Sequence, residues 1–80
     1  KAIQAKANRG DSEAQFQLGI LHVKGLNGPS NLVQAYKWLN LAALRGNGEA
    51  KRLRTEISDV MSRAEISEAQ RQAREWVSTH

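Results

Sequence analysis

The residue whose type is most open to chemistry is His22, whose ring titrates near neutrality and could act as a general base or a metal ligand. A working base needs a nucleophile or an orienting acid within hydrogen-bond reach. No Ser, Asp or Cys accompanies His22 at a spacing that would supply one. The sequence has no cysteine and two histidines, the second being His80, so cysteine nucleophiles, thiolate zinc sites and disulfides are excluded and an all-protein metal site is not expected. His22 is therefore read as a packing residue at the edge of a core. No catalytic residue, metal ligand or cofactor is assigned, and no enzyme is expected.

Phosphate binding is the next chemistry open to the chain. Arg45, Lys51, Arg52 and Arg54 lie close together, and twelve Lys and Arg against eight Asp and Glu give a net charge of +4. Such a balance suits nucleic acid, anionic lipid or an acidic protein alike. Glu49 and Glu56 sit among these cations and no stacking aromatics do, so the group reads as a solvated helical face. The glycines from Gly25 to Pro29 follow no phosphate-cradling pattern and read as turn punctuation. Trp38 and Trp76 belong to a residue type enriched in binding hot spots, but both stand beside alanines on apolar helical faces, where core packing is the simpler role. Trp76, nearer an end, is kept as a contact candidate.

These side chains must be positioned by 80 residues, 40% of them hydrophobic and 25% charged, a composition that belongs to folded chains and not to disordered tails. A chain this short buries only about 60–65% of its unfolded surface, so marginal stability is expected unless something packs against it. No apolar run approaches the roughly 20 residues of a bilayer span. The sequence opens on Lys1 without an initiator Met and is expected to be processed or cut from something longer.

An internal repeat organises the chain. Ala7-Asn8-Arg9-Gly10-Asp11-Ser12-Glu13-Ala14 returns as Ala43-Leu44-Arg45-Gly46-Asn47-Gly48-Glu49-Ala50, a period of 36 residues measured from Gly10 to Gly46. That is the length of one helical hairpin with its turns. Gly10 followed by Asp11-Ser12 predicts a helix end and a capped helix start, and the new helix stops at Gly25. Apolar residues cover most of its circumference, leaving Glu13, Gln17 and Lys24 as a narrow polar stripe, so it should pack on more than one side.

Leu26 to Ser30 predicts a turn, with Ser30 or Asn31 capping a second helix from Leu32 to about Arg45. Its inner face is Leu32, Ala35, Tyr36, Leu39, Ala42 and Ala43, with Trp38 at the edge, while Leu41 and Leu44 point to the other side and need either solvent tolerance or another cover. A third helix from Gly48 to about Met61 would turn Ala50, Leu53, Ile57, Val60 and Met61 inward. Ser62 to Glu65 has capping-box spacing for a fourth, with Ile66, Ala69, Ala73, Trp76 and Val77 inside. The domain reading is residues 1–10 as the end of a preceding repeat helix, 11–46 as a full repeat, and 47–80 as a partial repeat helix and C-terminal capping helix.

Several of these residues in their order resemble the Sel1-like repeat, a relative of the tetratricopeptide repeat. The resemblance lies in Ala14 followed by Leu18-Gly19 and Gly25, in Pro29 and Asn31, in Ala35-Tyr36-Lys37-Trp38, in Ala42-Ala43, and in Gly46 followed by Glu49-Ala50. Tyr36 to Ala43 is similar to the last repeat of bacterial members, and Met61-Ser62 with Glu68-Ala69-Gln70 and Ala73 to Trp76 to the closing helix that follows it. The sequence departs from the family at His22, where Tyr is usual, at Asn27, where Gly is, and at Gly28, where Val is. Past Ala50 the repeat pattern fails, as a capping element with a charged outer face requires.

The resemblance implies an all-α fold, an α/α superhelix of tetratricopeptide-like hairpins, and a function in binding another protein or peptide as an adaptor or scaffold. It also implies that the first helix of each hairpin lines a concave surface, which selects the stripe Glu13, Gln17 and Lys24, flanked by Phe16 and Ile20, as the candidate binding site. Leu41, Leu44 and Trp76 are secondary contact candidates. Two other roles remain open to the sequence: an accessory structural subunit of a larger membrane-associated or envelope assembly, and a binder of nucleic acid or an anionic surface. Nucleic acid is not the expected partner, and no small-molecule substrate or cofactor is indicated. The family's habits favour a bacterial periplasm or envelope over the cytoplasm.

Overall fold

In the computed structural model residues 2–25 and 31–80 are described, and among them lie five α-helices and no strand. Each start has a local cause. Helix α1 spans Ala2–Asn8 and gives way at Gly10, whose φ of 95° is open to glycine and costly for other residues. Asp11 then caps α2 (Ser12–Lys24), its carboxylate accepting from the Ala14 amide at 3.1 Å. The same device recurs one period later. Gly46 takes a φ of 96°, and Asn47 caps α4 (Gly48–Ser58) by accepting from the Ala50 amide at 2.8 Å. Between them Asn31 caps α3 (Leu32–Leu44), accepting from the Gln34 amide. The turn predicted for Leu26 to Ser30, with the departures at Asn27 and Gly28, lies outside the described residues. The Ser62 capping box is complete: its hydroxyl accepts from the Glu65 amide, and the Glu65 carboxylate accepts from the Ser62 amide, opening α5 (Arg63–Thr79).

Helix α3 is the centre of the molecule. It packs against α2, α4 and α5, and α1 packs on α2. The α2–α3 contact is close because Gly19 has no side chain: a Cβ there would lie 2.7 Å from Leu39 Cγ and Cδ2. Helix α5 returns alongside α3 in the same direction, Gln72 accepting from Gln34 at 2.7 Å near one end and the Trp76 ring lying 6.2 Å from Trp38, edge to face, nearer the other. Two buried clusters result. One joins Ala35, Tyr36, Leu39 and Ala42 of α3 to Ala50 and Ile57 of α4, Met61 and Ala69. The other joins Ala7, Ala14 and Leu18 to Trp38 and Leu41 of α3 and to Ala73 and Trp76 of α5.

Leu41, expected on the other side of α3 with either solvent tolerance or a cover, has the cover: it is only 2% exposed, because α5 lies over the second face of α3. Two expectations about burial need correction. Val60, expected to face inward, is 74% exposed. Helix α4 ends at Ser58, and Val60 and Met61 continue it by three-residue amide bonds to Ile57 and Ser58, which rotate Val60 out of the apolar stripe. Val77, also placed inside, is 52% exposed, on an open flank beside Leu41 and Leu44 of α3. Gln15, unremarked in the sequence, is fully buried and donates from Nε2 to the Ala7 carbonyl at 3.1 Å, tying α2 to α1.

Candidate interaction surfaces

Three surfaces gather the side chains from which a function could be built. The first is the outer stripe of α2. Glu13, Gln17, Ile20 and Lys24 follow one helical face, with Glu13, Gln17 and Lys24 exposed and Ile20 half-buried. Glu13 and Gln17 line a shallow depression of about 170 Å³ between α1 and α2, opposite Ile3 and Lys6. Phe16 belongs elsewhere: it packs against the first cluster and forms part of the wall behind the stripe.

The second surface lies between the C-terminal halves of α3 and α5, where a depression of about 330 Å³ is lined by Leu41, Leu44, Arg45, Trp76, Val77 and His80. All three secondary candidates meet here. Leu41 and Trp76 are its buried floor, whereas Leu44, 67% exposed, and Val77 are its open walls. The His80 ring stacks on the Trp76 indole at 4.2 Å with an 8° tilt.

On the opposite side of α5 a polar depression of about 440 Å³ is lined by Lys37, Arg71, Gln72, Glu75, Trp76 and Thr79. Its charges are largely satisfied internally. Arg71 pairs with Glu68 at 2.6 Å and with Glu75 at 3.5 Å, and the Gln72 amide donates to Glu68 at 2.8 Å. The hydrogen bonds from Arg71 and then from Gln72 hold the Glu68 carboxyl down at about 2. The Lys37 ammonium sits 4.6 Å from the Trp38 ring centre, and burial pushes its pKa down against the raising effect of Glu75. The Arg71–Glu75, Glu68–Arg71 and Glu68–Gln72 pairs all stand three or four residues apart, the spacing at which side chains meet on a helix.

His22 is half-buried, and its pKa is lowered first by burial and then by the nearby Lys37 charge. No group of three or more His, Cys, Asp or Glu side chains gathers among the described residues. The basic group does not form one patch. Arg54 turns back to donate to Asn40 Oδ1 at 2.6 Å, Arg52 lies 3.9 Å from Glu49, and Arg45 reaches across to Gly10, where an added Cβ would stand 2.7 Å from its Nη2. No helix among the described residues is long and apolar enough to cross a membrane.

Residues 12–47 match the Sel1 repeat family. Over 56 residues, 69% of the chain, the sequence is 45% identical to the mouse protein DAP3-binding cell death enhancer 1, and the match spans 11% of that protein's length. No solved structure matches. Sel1 repeats are tetratricopeptide-like helical repeats that generally mediate protein–protein interaction and are non-catalytic. The relative being a mouse protein, this comparison lends no support to a bacterial source.

Proposed function

We propose that this chain, which carries a Sel1 repeat at residues 12–47, is a non-catalytic adaptor or scaffold that holds a protein or peptide on the exposed stripe of α2. The observation that carries the reading is the arrangement of Glu13, Gln17 and Lys24 on one face with half-buried Ile20 between them and the Phe16 wall behind. Alternating polar and apolar side chains on a rigid helix give a partner both apolar area and hydrogen-bonding register. Such a helix suits a stacked array, in which hairpins supply an extended surface and no deep pocket. Residues 1–10 then act as the end of a preceding repeat helix, 11–46 as the full repeat and 47–80 as the partial repeat with its cap.

The test is a comparison of the chain with its Gln17→Arg, Ile20→Glu double variant, both checked for helicity by circular dichroism. Partners captured by the wild-type chain are identified by mass spectrometry, purified and titrated against both forms. The mouse relative is named for binding DAP3, which makes that protein the first bait to try. The proposal expects a purified partner that binds the wild-type chain and loses about tenfold or more in affinity to the double variant. Equal binding to both forms would remove the α2 stripe as the site.

A further inference from the structure

We infer that the depression between α3 and α5 is a second docking site, and that its occupant is an acidic protein segment seating one large apolar side chain there. The inference is independent of the α2 stripe, since none of its residues belongs to that helix. Four observations carry it. The floor of Leu41 and Trp76 and the walls of Leu44 and Val77 are apolar, and the walls are exposed, Leu44 at 67% and Val77 at 52%, above a buried floor. The size, about 330 Å³, falls at the low end of ligand pockets, which run from about 300 to 1,000 Å³, and suits an anchor side chain with its neighbour.

Among the described residues that line it none is acidic, and Arg45 is a cation. Arg45 and His80 line the depression, and exposed Arg74 stands one helical turn before Val77 on the same flank of α5. The depression across α5 is different, since Glu75 lines it beside Lys37 and Arg71. Finally, Arg45 stands exposed at the rim with no acceptor among the described residues. Its guanidinium lies against Gly10, yet among the described residues it makes no ion pair and no side-chain hydrogen bond. A planar group with five donors at the edge of an apolar hollow is suited to a carboxylate brought by a partner. A second copy of the chain is a poor occupant, because a stable dimer buries about 800 Å² on each partner and this patch offers a hollow between two helix ends.

The experiment pans a random dodecapeptide display library against the immobilised chain, then measures the enriched peptides by fluorescence anisotropy. The expected peptides carry one Leu, Phe or Trp with Asp or Glu within a turn of it. Leu44→Asp and Val77→Asp, both at exposed positions, should each weaken binding about tenfold or more, and circular dichroism checks that the variants stay helical. Arg45→Glu should weaken it also, and should recover binding to the same peptides resynthesised with Lys in place of the acids. The Gln17→Arg, Ile20→Glu variant should bind them as the wild type does, which separates this site from the α2 stripe. The inference is overturned if no peptide is enriched, if the enriched peptides lack acids, or if they respond to the α2 variant in place of Leu44→Asp. It is overturned equally if sedimentation shows a dimer that Leu44→Asp dissolves, or if a DNA duplex takes the site and is released by Arg45→Glu.

Discussion

Gly19 is where two physical effects of one residue oppose each other. Replacing glycine by alanine inside a helix normally gains about 0.8–1.0 kcal/mol of helix propensity. Here the new methyl would meet the fully buried Leu39 at 2.7 Å, and overpacking a tight core costs typically about 1–3 kcal/mol. Gly19→Ala is therefore expected to lower the melting temperature, by roughly 4–8 °C for each net kcal/mol, whereas Gly48→Ala, with nothing within 4 Å, should leave it level or raise it. Thermal melts of the two variants decide whether close packing or propensity rules at α2. His22 sets a pH dependence in the mildly acidic range. Its folded pKa lies below the ordinary 6.5 of the side chain, so the unfolded chain binds that proton more readily, and stability held above pH 6.5 is lost as pH falls through 6.5 toward the folded value. His22→Gln should flatten the melting-temperature curve between neutral and mildly acidic pH. Glu68 contributes in a lower window, present above its ordinary 4.5 and lost on the way to about 2, so Glu68→Gln should alter only the strongly acid limb.

At the scale of elements, the helix starts were legible because caps are local. Asp11, Asn31, Asn47 and Ser62 each satisfy an amide two or three residues inside their own helix, and no distant contact is needed to place them. Ser62→Ala removes the hydroxyl half of the capping box, while the Ser62 amide can still donate to Glu65, and should cost about 0.5–2 kcal/mol, read as a lower urea midpoint with unchanged slope. The faces of the helices were less legible. Periodicity finds an apolar stripe, but α3 has two, and nothing within α3 says that Trp38 and Leu41 would be covered by a helix more than thirty residues later. The α2 stripe could be read from spacing alone. The α3–α5 hollow could not, since it exists only where Leu44 and Val77 are brought together by the return of α5. Trp76 secures that return. Trp76→Ala should cost about 3–5 kcal/mol and change the Trp38 emission as its edge-to-face partner is lost, with a smaller loss for Trp76→Phe.

For the whole molecule the question is whether two buried clusters mean two folding units. Repeat arrays often behave as a sum of repeat terms and neighbour interfaces, which would let one cluster melt before the other. The packing here argues against that. Helices α2, α3 and α5 each contribute to both clusters, with Leu39 and Ala42 of α3 on one side and Trp38 and Leu41 on the other, so neither cluster can open without releasing the helices that wall its neighbour. The radius of gyration, 11.3 Å, is close to the roughly 11.6 Å of a compact domain of this length, which leaves little of the elongation on which independent repeats depend. Both tryptophans lie in the second cluster and Tyr36 in the first, so tryptophan emission follows one cluster while helicity follows the whole chain. Urea unfolding monitored by tryptophan emission and by circular dichroism should therefore give coincident transitions with one midpoint. If emission changes first while helicity persists, the clusters unfold separately and α5 is an independent flap. In that case the α3–α5 hollow would open and close with it.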